Sequence, residues 1–210
     1  MKAFLEKQRH SSCRRYSIEY KKVKLGDVCE YIRGVTYSKN DESSSGIAVL
    51  RANNVELSGM LNLTDIKYVN SNITIKNKQM LRKNDILMCA GSGSKEHIGK
   101  VAFIHKDMNM AFGGFMAVIR NKNDIDSYYL YNILQSKEFR EYIDTALTSS
   151  TINNMKSSVL YDYSVELPPL EHQLLISSLL SSYDSLIATV QSEQDSLIKI
   201  KSQLMTDIFS

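Results

Sequence analysis

LPPLEHQLLISSLLSSYDSLIATVQSEQDSLIKIKSQLMTDIF, residues 167–209, is the stretch whose reading decides the architecture of this chain. It opens on Pro168 and Pro169, the only two prolines among 210 residues. Proline fits the first turn of a helix, where its missing N–H would have no partner anyway. Neither proline nor glycine follows to the last residue, and a continuous helix of about 41 residues spans roughly 60 Å. Its apolar positions step by three and four: Ile176, Leu179, Tyr183, Leu186, Val190, Leu197, Ile200 and Leu204. Only Glu193 and Asp207 break the series, so the period is that of a coiled coil. A small domain at one end cannot cover so long and narrow a stripe; a second helix of similar length must. A core helix of a bundle is the bland alternative. No other segment of the chain is long enough to partner it, so the pattern predicts pairing between molecules. Leu175, Leu180, Ile187, Ile198, Met205 and Ile208 widen the stripe, enough for contact with two partners.

The chain is long enough for one substantial domain plus this appendage. The predicted organisation is a basic arm over 1–22, a globular domain over 23–167 and the rod over 168–210. No window approaches 18 consecutive apolar residues, so no membrane-spanning helix is expected, and the start has no apolar signal-peptide core. Cys13, Cys29 and Cys89 are an odd, scattered set without a CxxC pair. That pattern argues against a zinc site or disulfide framework and for a reducing cytoplasm. Net charge is +3, unevenly placed. Residues 1–24 hold eight basic residues against Glu6 and Glu19, a local +6, which leaves −3 for the rest, most of it on the rod. The arm either grips phosphate or is a solvated, fraying end. A neutral middle argues against a protein that holds nucleic acid unaided.

Between Val23 and Leu167 the pattern is one of strands, turns and a few short helices. Strands are expected at 28–32, 46–51, 67–69, 86–90 and 100–104. Another runs over 110–120, interrupted by Gly113-Gly114, which suggests a bulge or bend. Leu130, Ile133, Leu134, Phe139, Ile143 and Leu147 fit one helix over 128–147 with a single offset. Residues 159–167 are expected to return to the sheet. The fold class is therefore a mixed α/β domain followed by one long coiled-coil helix.

Gly91-Ser92-Gly93 invites a nucleotide-binding reading, but phosphate-cradling loops lead into a helix and this one leads into a strand. A hairpin loop presenting Ser92, Ser94, Lys95 and His97 is the better account. The four histidines lack HxxxH or HExxH spacing, so no metal site is expected. No serine sits in Gly-x-Ser-x-Gly. The Glu19-Tyr20-Lys21 spacing lacks the Pro-Asp strand of a nuclease, and the Pro-Pro pair lacks the flanking Asn/Asp and aromatic of an adenine methyltransferase. No catalytic constellation emerges. What remains is a set of polar loops: Arg33 with Lys39; Arg51 with Asn53 and Asn54; Ser92, Ser94 and Lys95 with Lys100; and Ser149-Ser150-Thr151 with Asn153. Arginine pairs with guanine and asparagine with adenine in the major groove, while Ser, Thr and Lys position the backbone. Taken singly, each such residue is more often a turn former.

As a set, they acquire meaning from a resemblance. Lys24-Leu25-Gly26-Asp27-Val28, Ile32-Arg33-Gly34, Lys83-Asn84-Asp85-Ile86-Leu87, Ile98-Gly99-Lys100-Val101 and Val165-Glu166-Leu167-Pro168-Pro169-Leu170-Glu171-His172-Gln173 resemble the specificity subunits of type I restriction-modification systems. The resemblance covers residues 22–209, and the Leu-Pro-Pro-Leu-Glu-x-Gln junction is its specific part; His172 stands where Glu is expected. It implies a target recognition domain followed by a spacer helix. Members usually carry two of each, with the helices antiparallel, so this chain looks like a half-subunit. It implies double-stranded DNA and the modification (methyltransferase) subunits as partners, and through them the restriction subunits. Adenine methylation, ATP-dependent cutting and the sites for S-adenosylmethionine, ATP and Mg belong to those partners, so the chain itself is non-catalytic. One domain and one unpaired stripe per chain predict an antiparallel homodimer. The competing reading is a coiled-coil interaction module without its own DNA role, or a fragment completing a specificity subunit in trans.

Overall fold

Ile86-Leu87-Met88-Cys89 is buried at all four positions, which requires a strand covered on both faces rather than one. In the computed structural model, which describes residues 18–122, 125–148 and 154–209, that strand (β6) lies inside a four-stranded antiparallel sheet. Its companions are β2 (Cys29–Arg33), β7 (Val101–Phe103) and β9 (Met116–Asn121), in the order β2-β9-β6-β7. Alternation along the strands sorts the core into two layers. Ile86, Met88, Ala117 and Ile119 face helices α2 (Ser127–Gln135), α3 (Lys137–Thr148) and α4 (Ser157–Asp162). Leu87, Cys89, Val118 and Met116 face Leu50 and Phe112 of a second sheet. That sheet has the order β3-β5-β4-β8, from Glu42–Ser43, Lys67–Val69, Ile47–Leu50 and Met110–Phe112. The globular unit is thus three layers: helices, sheet, sheet.

Several expectations need correction. Residues 110–120 are not one bulged strand: β8 and β9 belong to different sheets, and Gly113-Gly114 carries the chain between them. The crossing is tight. Val35 N donates to Phe112 O at 2.7 Å and Gly34 N to Met116 O at 3.1 Å, and a Cβ on Gly34 would lie 2.0 Å from Gly113 O. Residues 128–147 form two helices, because Ser136 is extended (φ −63°, ψ 151°) and its Oγ accepts from Phe139 N to start the second. Residues 159–167 first finish α4; only Ser164–Leu167 (β10) is strand. It pairs antiparallel with β1 (Lys21–Lys24) in a separate ribbon, not with the main sheet. Lys21 and Lys22, expected in the basic arm, belong to that ribbon. A short helix, α1 (Leu25–Val28), follows β1 and moves the first expected strand one residue on, to β2.

The Asn84-Asp85 step sets up the middle of the central sheet. Asn84 adopts φ +69°, a conformation asparagine tolerates better than most residues. It delivers Asp85, 1% exposed, against Arg120 of β9 in a bidentate pair at 2.7 and 2.8 Å. Asp85 Oδ2 also accepts from Arg82 N at 2.9 Å.

The last element, α5, is one helix of 40 residues, Leu170–Phe209. Leu179, Tyr183, Leu186, Val190, Leu197, Ile200 and Leu204 are each between 54% and 66% exposed. Ile176, expected on the same stripe, is instead half-covered by the globular unit, because the first four turns of α5 lie along α2. No helix among the described residues is long and apolar enough to cross a membrane.

Candidate nucleic-acid interface

The crossing at Gly113-Gly114 borders a cleft of about 940 Å³ on the globular unit. Five stretches of chain converge on it, three of them carrying residues singled out in the sequence. The loop after β2 brings Arg33, Tyr37 and Lys39; the turn after β4 brings Arg51 and Asn53; the loop after β6 brings Ser92. Five of the residues singled out in the sequence, Arg33, Lys39, Arg51, Asn53 and Ser92, therefore share one site.

Each cation is held differently. Arg33 Nη2 donates to Asn154 Oδ1 at 2.7 Å. Arg51 Nη2 donates to Asp65 Oδ2 at 2.8 Å, while its Nε is buried with no partner among the described residues. Lys39 stands exposed in a one-turn helix, residues 39–41, which Asp41 closes by accepting from both Ser38 N and Ser38 Oγ at 2.7 Å. Those two bonds hold the Asp41 carboxyl below its usual range. Burial raises the Tyr37 hydroxyl, with nearby Arg51 opposing, so Tyr37 remains a neutral O–H at physiological pH. Glu42, the one acidic side chain on the cleft among the described residues, is paired with Lys67 at 2.9 Å. Fixed positive charge, amide and hydroxyl groups are thus presented together, a donor set suited to phosphate oxygens and base edges.

Two expected contact residues are committed elsewhere. Asn54 is 1% exposed. Its Oδ1 accepts from Arg51 N at 2.8 Å and its Nδ2 donates to Asn62 O and Asp65 O at 2.9 Å each. It shapes the turn that presents Arg51 and Asn53, and it has no free group to read a base. Lys100 likewise turns inward, its Nζ donating to Ala52 O at 3.1 Å and Val55 O at 2.6 Å. Both are corrections with one cause: a turn carrying several carbonyls next to a sheet edge must satisfy them internally. Ser94 and Lys95 are exposed just beyond the cleft, on a loop pinned by Arg140 Nη1 to Ile98 O at 2.6 Å. Ser149, Thr151 and Asn153 lie outside the described residues, as do residues 1–17 of the basic arm.

Thr36 and Tyr37 line the cleft from within the loop expected around Arg33–Lys39, whereas sequence reasoning missed Phe115, which also lines it. Phe115 is 69% exposed, yet its carbonyl accepts from Ala90 N at 2.8 Å and Gly91 N at 2.9 Å, so a fixed backbone holds an apolar ring at the rim. Reading 110–120 as one strand hid it; a phenylalanine directly after Gly-Gly was the available signal. Among the described residues no group of three or more His, Cys, Asp or Glu is placed to hold a metal ion.

Residues 17–199 match the family model described as the type I restriction modification DNA specificity domain. The chain is 32% identical over 172 residues to the type I restriction enzyme EcoKI specificity subunit of Escherichia coli K12, covering 80% of this chain and 36% of that one. It is 30% identical over 180 residues to the StySPI specificity subunit of Salmonella potsdam, covering 84% and 38%. Among solved structures it is similar to the HsdS subunit from Thermoanaerobacter tengcongensis, with TM-score 0.59, 19% identity, and 89% and 42% of the two chains covered. It is also similar to a chain from a structure of complex assembly in a type I R-M system, with TM-score 0.62, 19% identity, and 93% and 45% covered. These solved structures bear out the mixed α/β unit with its long terminal helix. The match spans less than half the length of each of these relatives. With most of its length inside the family model, the chain belongs to the type I restriction-modification specificity family and carries one recognition domain.

Proposed function

We propose that this chain reads one half of a split double-stranded DNA site and docks methyltransferase subunits there, acting in the cytoplasm as an antiparallel homodimer. The chain is a specificity component and not an enzyme, as the names of its relatives imply. S-adenosylmethionine, ATP and Mg would be held by partner subunits, and restriction subunits would join through the methyltransferase. The observation that carries the reading is the rod, 40 residues long with its apolar stripe open to solvent.

The stripe is self-complementary when read backwards. In antiparallel helices each a position faces a d position of the partner, since the two seams run in opposite directions. One register pairs Leu179 with Leu204, Tyr183 with Ile200 and Leu186 with Leu197, and leaves Val190 facing Glu193 next to the two-fold axis. The axis then falls between Gln191 and Ser192. Counting 1.5 Å per residue from Gln173 to that axis and doubling sets the two globular units roughly 55 Å apart along the rod. A two-fold protein favours a two-fold target, here a palindrome interrupted by an unread spacer.

Size-exclusion chromatography with light scattering tests the pairing: a dimer at micromolar concentration is expected, and a monomer would overturn it. Methylation mapping of DNA modified by the chain with a methyltransferase subunit tests the readout. An interrupted palindrome is expected; an asymmetric site would favour pairing with a different specificity chain. Within the cleft, Asn53→Ala should relax the choice of base while Lys39→Ala should weaken all duplexes alike and reduce the salt dependence of binding.

A further inference from the structure

Of the 40 residues in α5 only Gln173 and Ser177 are buried, and both are polar. They are 2% and 6% exposed. Burying polar groups is unfavourable unless each finds a partner, and these do. Asp126 N donates to Gln173 Oε1 at 3.0 Å, and Gln173 Nε2 donates to Pro168 O at 2.9 Å. Ser177 Oγ donates to Asp126 Oδ1. Two turns farther along, Tyr128 Oη donates to Asp184 Oδ2. Asp126 is itself anchored, because the same Oδ1 caps α2 by accepting from Tyr129 N at 2.9 Å.

The chemical character of this grip matters more than its strength. Apolar contact resists separation but is non-directional and tolerates sliding. Hydrogen bonds weaken steeply once their angles close below about 120°, so several of them along one helix resist rotation of that helix on its seat. The geometry of the rod makes such resistance consequential. Its seam centre lies about 28 Å from Gln173 at 1.5 Å per residue. A swing of about 10° would carry that point roughly 5 Å, more than the 3.4 Å rise of one base pair.

We infer that Asp126, Gln173, Ser177 and the Tyr128–Asp184 pair form a polar latch that sets the angle between recognition domain and rod, and so the half-site spacing the dimer accepts. These are positioning residues. The spacing consequence rests on the dimeric reading above; the latch does not.

Ser177→Ala combined with Tyr128→Phe removes two of the links while sparing the α2 cap, the cleft and the exposed stripe. The full chain with Cys13→Ser carries spin labels at Lys106→Cys and Ser202→Cys, diluted with unlabelled chain so that only distances within a molecule are read. The parent should give one narrow distance distribution and the double variant one at least twice as wide. Equal widths overturn the latch. Should the double variant fold poorly by circular dichroism, Tyr128→Phe alone is read the same way, with a smaller broadening expected and none overturning the latch. A second arm uses the duplex found by methylation mapping with its spacer lengthened or shortened by one base pair. The parent should discriminate at least tenfold and the variant less than threefold; undiminished discrimination in the variant overturns the role in spacing. A parent that is monomeric or binds no duplex overturns the dimeric reading instead, and the label widths still decide the latch.

Discussion

Phe112, Phe139, Met88 and Ile119 of the globular unit are enclosed by neighbours in the same chain, whereas Leu179, Leu186 and Leu197 on the rod keep more than half their surface open. Both regions spend leucine, isoleucine and valine, and only one of them completes its core alone. The three-layer unit closes because its strands alternate and both faces of the central sheet are covered. The rod has a single helical face and, among the described residues, nothing in its own chain lies on it beyond its first turns. Apolar residues in the unit therefore govern whether it folds, whereas under the proposed pairing those on the rod govern what it joins.

The largest effect should separate the two regions outright. Val190→Glu with Leu197→Glu places four charges in the seam of a dimer and should weaken association at least about 1,000-fold, or roughly 4 kcal/mol. Light scattering should then report a monomer whose globular unit still melts within a degree or two of the parent. Loss of the unit's melting transition would show that the two regions are not independent. Asp85→Ala is the converse experiment. It strips a buried carboxylate from Arg120 and should cost the unit about 3 kcal/mol, lowering its melting temperature by roughly 10 °C, with dimerisation kept below the melt.

Mild alkali should sharpen the same contrast. Burial pushes the Cys29 thiol from 9.0 up to about 12, against a small opposing effect of Lys122, and raises the Tyr31 and Tyr131 hydroxyls. Above pH 9 the unfolded chain releases protons that the folded unit retains. Unfolding is then favoured progressively as pH rises, by up to about 1.4 kcal/mol per pH unit for Cys29 alone. The urea midpoint of the unit should fall between pH 8 and pH 10.5, and Cys29→Ala should flatten that slope; an equal slope in the variant would contradict the account. The smallest effect belongs to Lys100→Met, which keeps the aliphatic stem but loses two bonds to the 52–55 turn. About 1 kcal/mol should be lost, read as faster hydrogen exchange at Asn54 and Val55 with the central strands unaffected.

How far the sequence was legible follows the same division. The rod was read nearly to its ends because proline, glycine and heptad positions act locally. The buried run at 86–89 was read correctly because four successive apolar residues leave little choice. Residues 110–120 misled because two short strands of different sheets follow one another in a single apolar run, and the reason they part is a backbone approach at Gly34 that lies far away in sequence. Arg33 and Arg51, singled out by residue type alone, both line the cleft. Asn54 and Lys100 were misassigned by that criterion, since an amide or ammonium that can reach a base can equally satisfy a neighbouring carbonyl.

The order of residues by itself determined that a long helix with one apolar face ends this chain, that a mixed α/β unit precedes it, and which family the whole resembles. The first two are consequences of local propensity and periodicity, which need no knowledge of distant neighbours; the third rests on the matching motifs. Only the tertiary structure decided that Arg33, Arg51, Ser92 and Phe115 meet in one cleft, and that Gln173 and Ser177 fasten the rod through Asp126. Convergence of that kind is set by strand pairing and hydrogen-bond geometry across dozens of residues, and no window of sequence contains it.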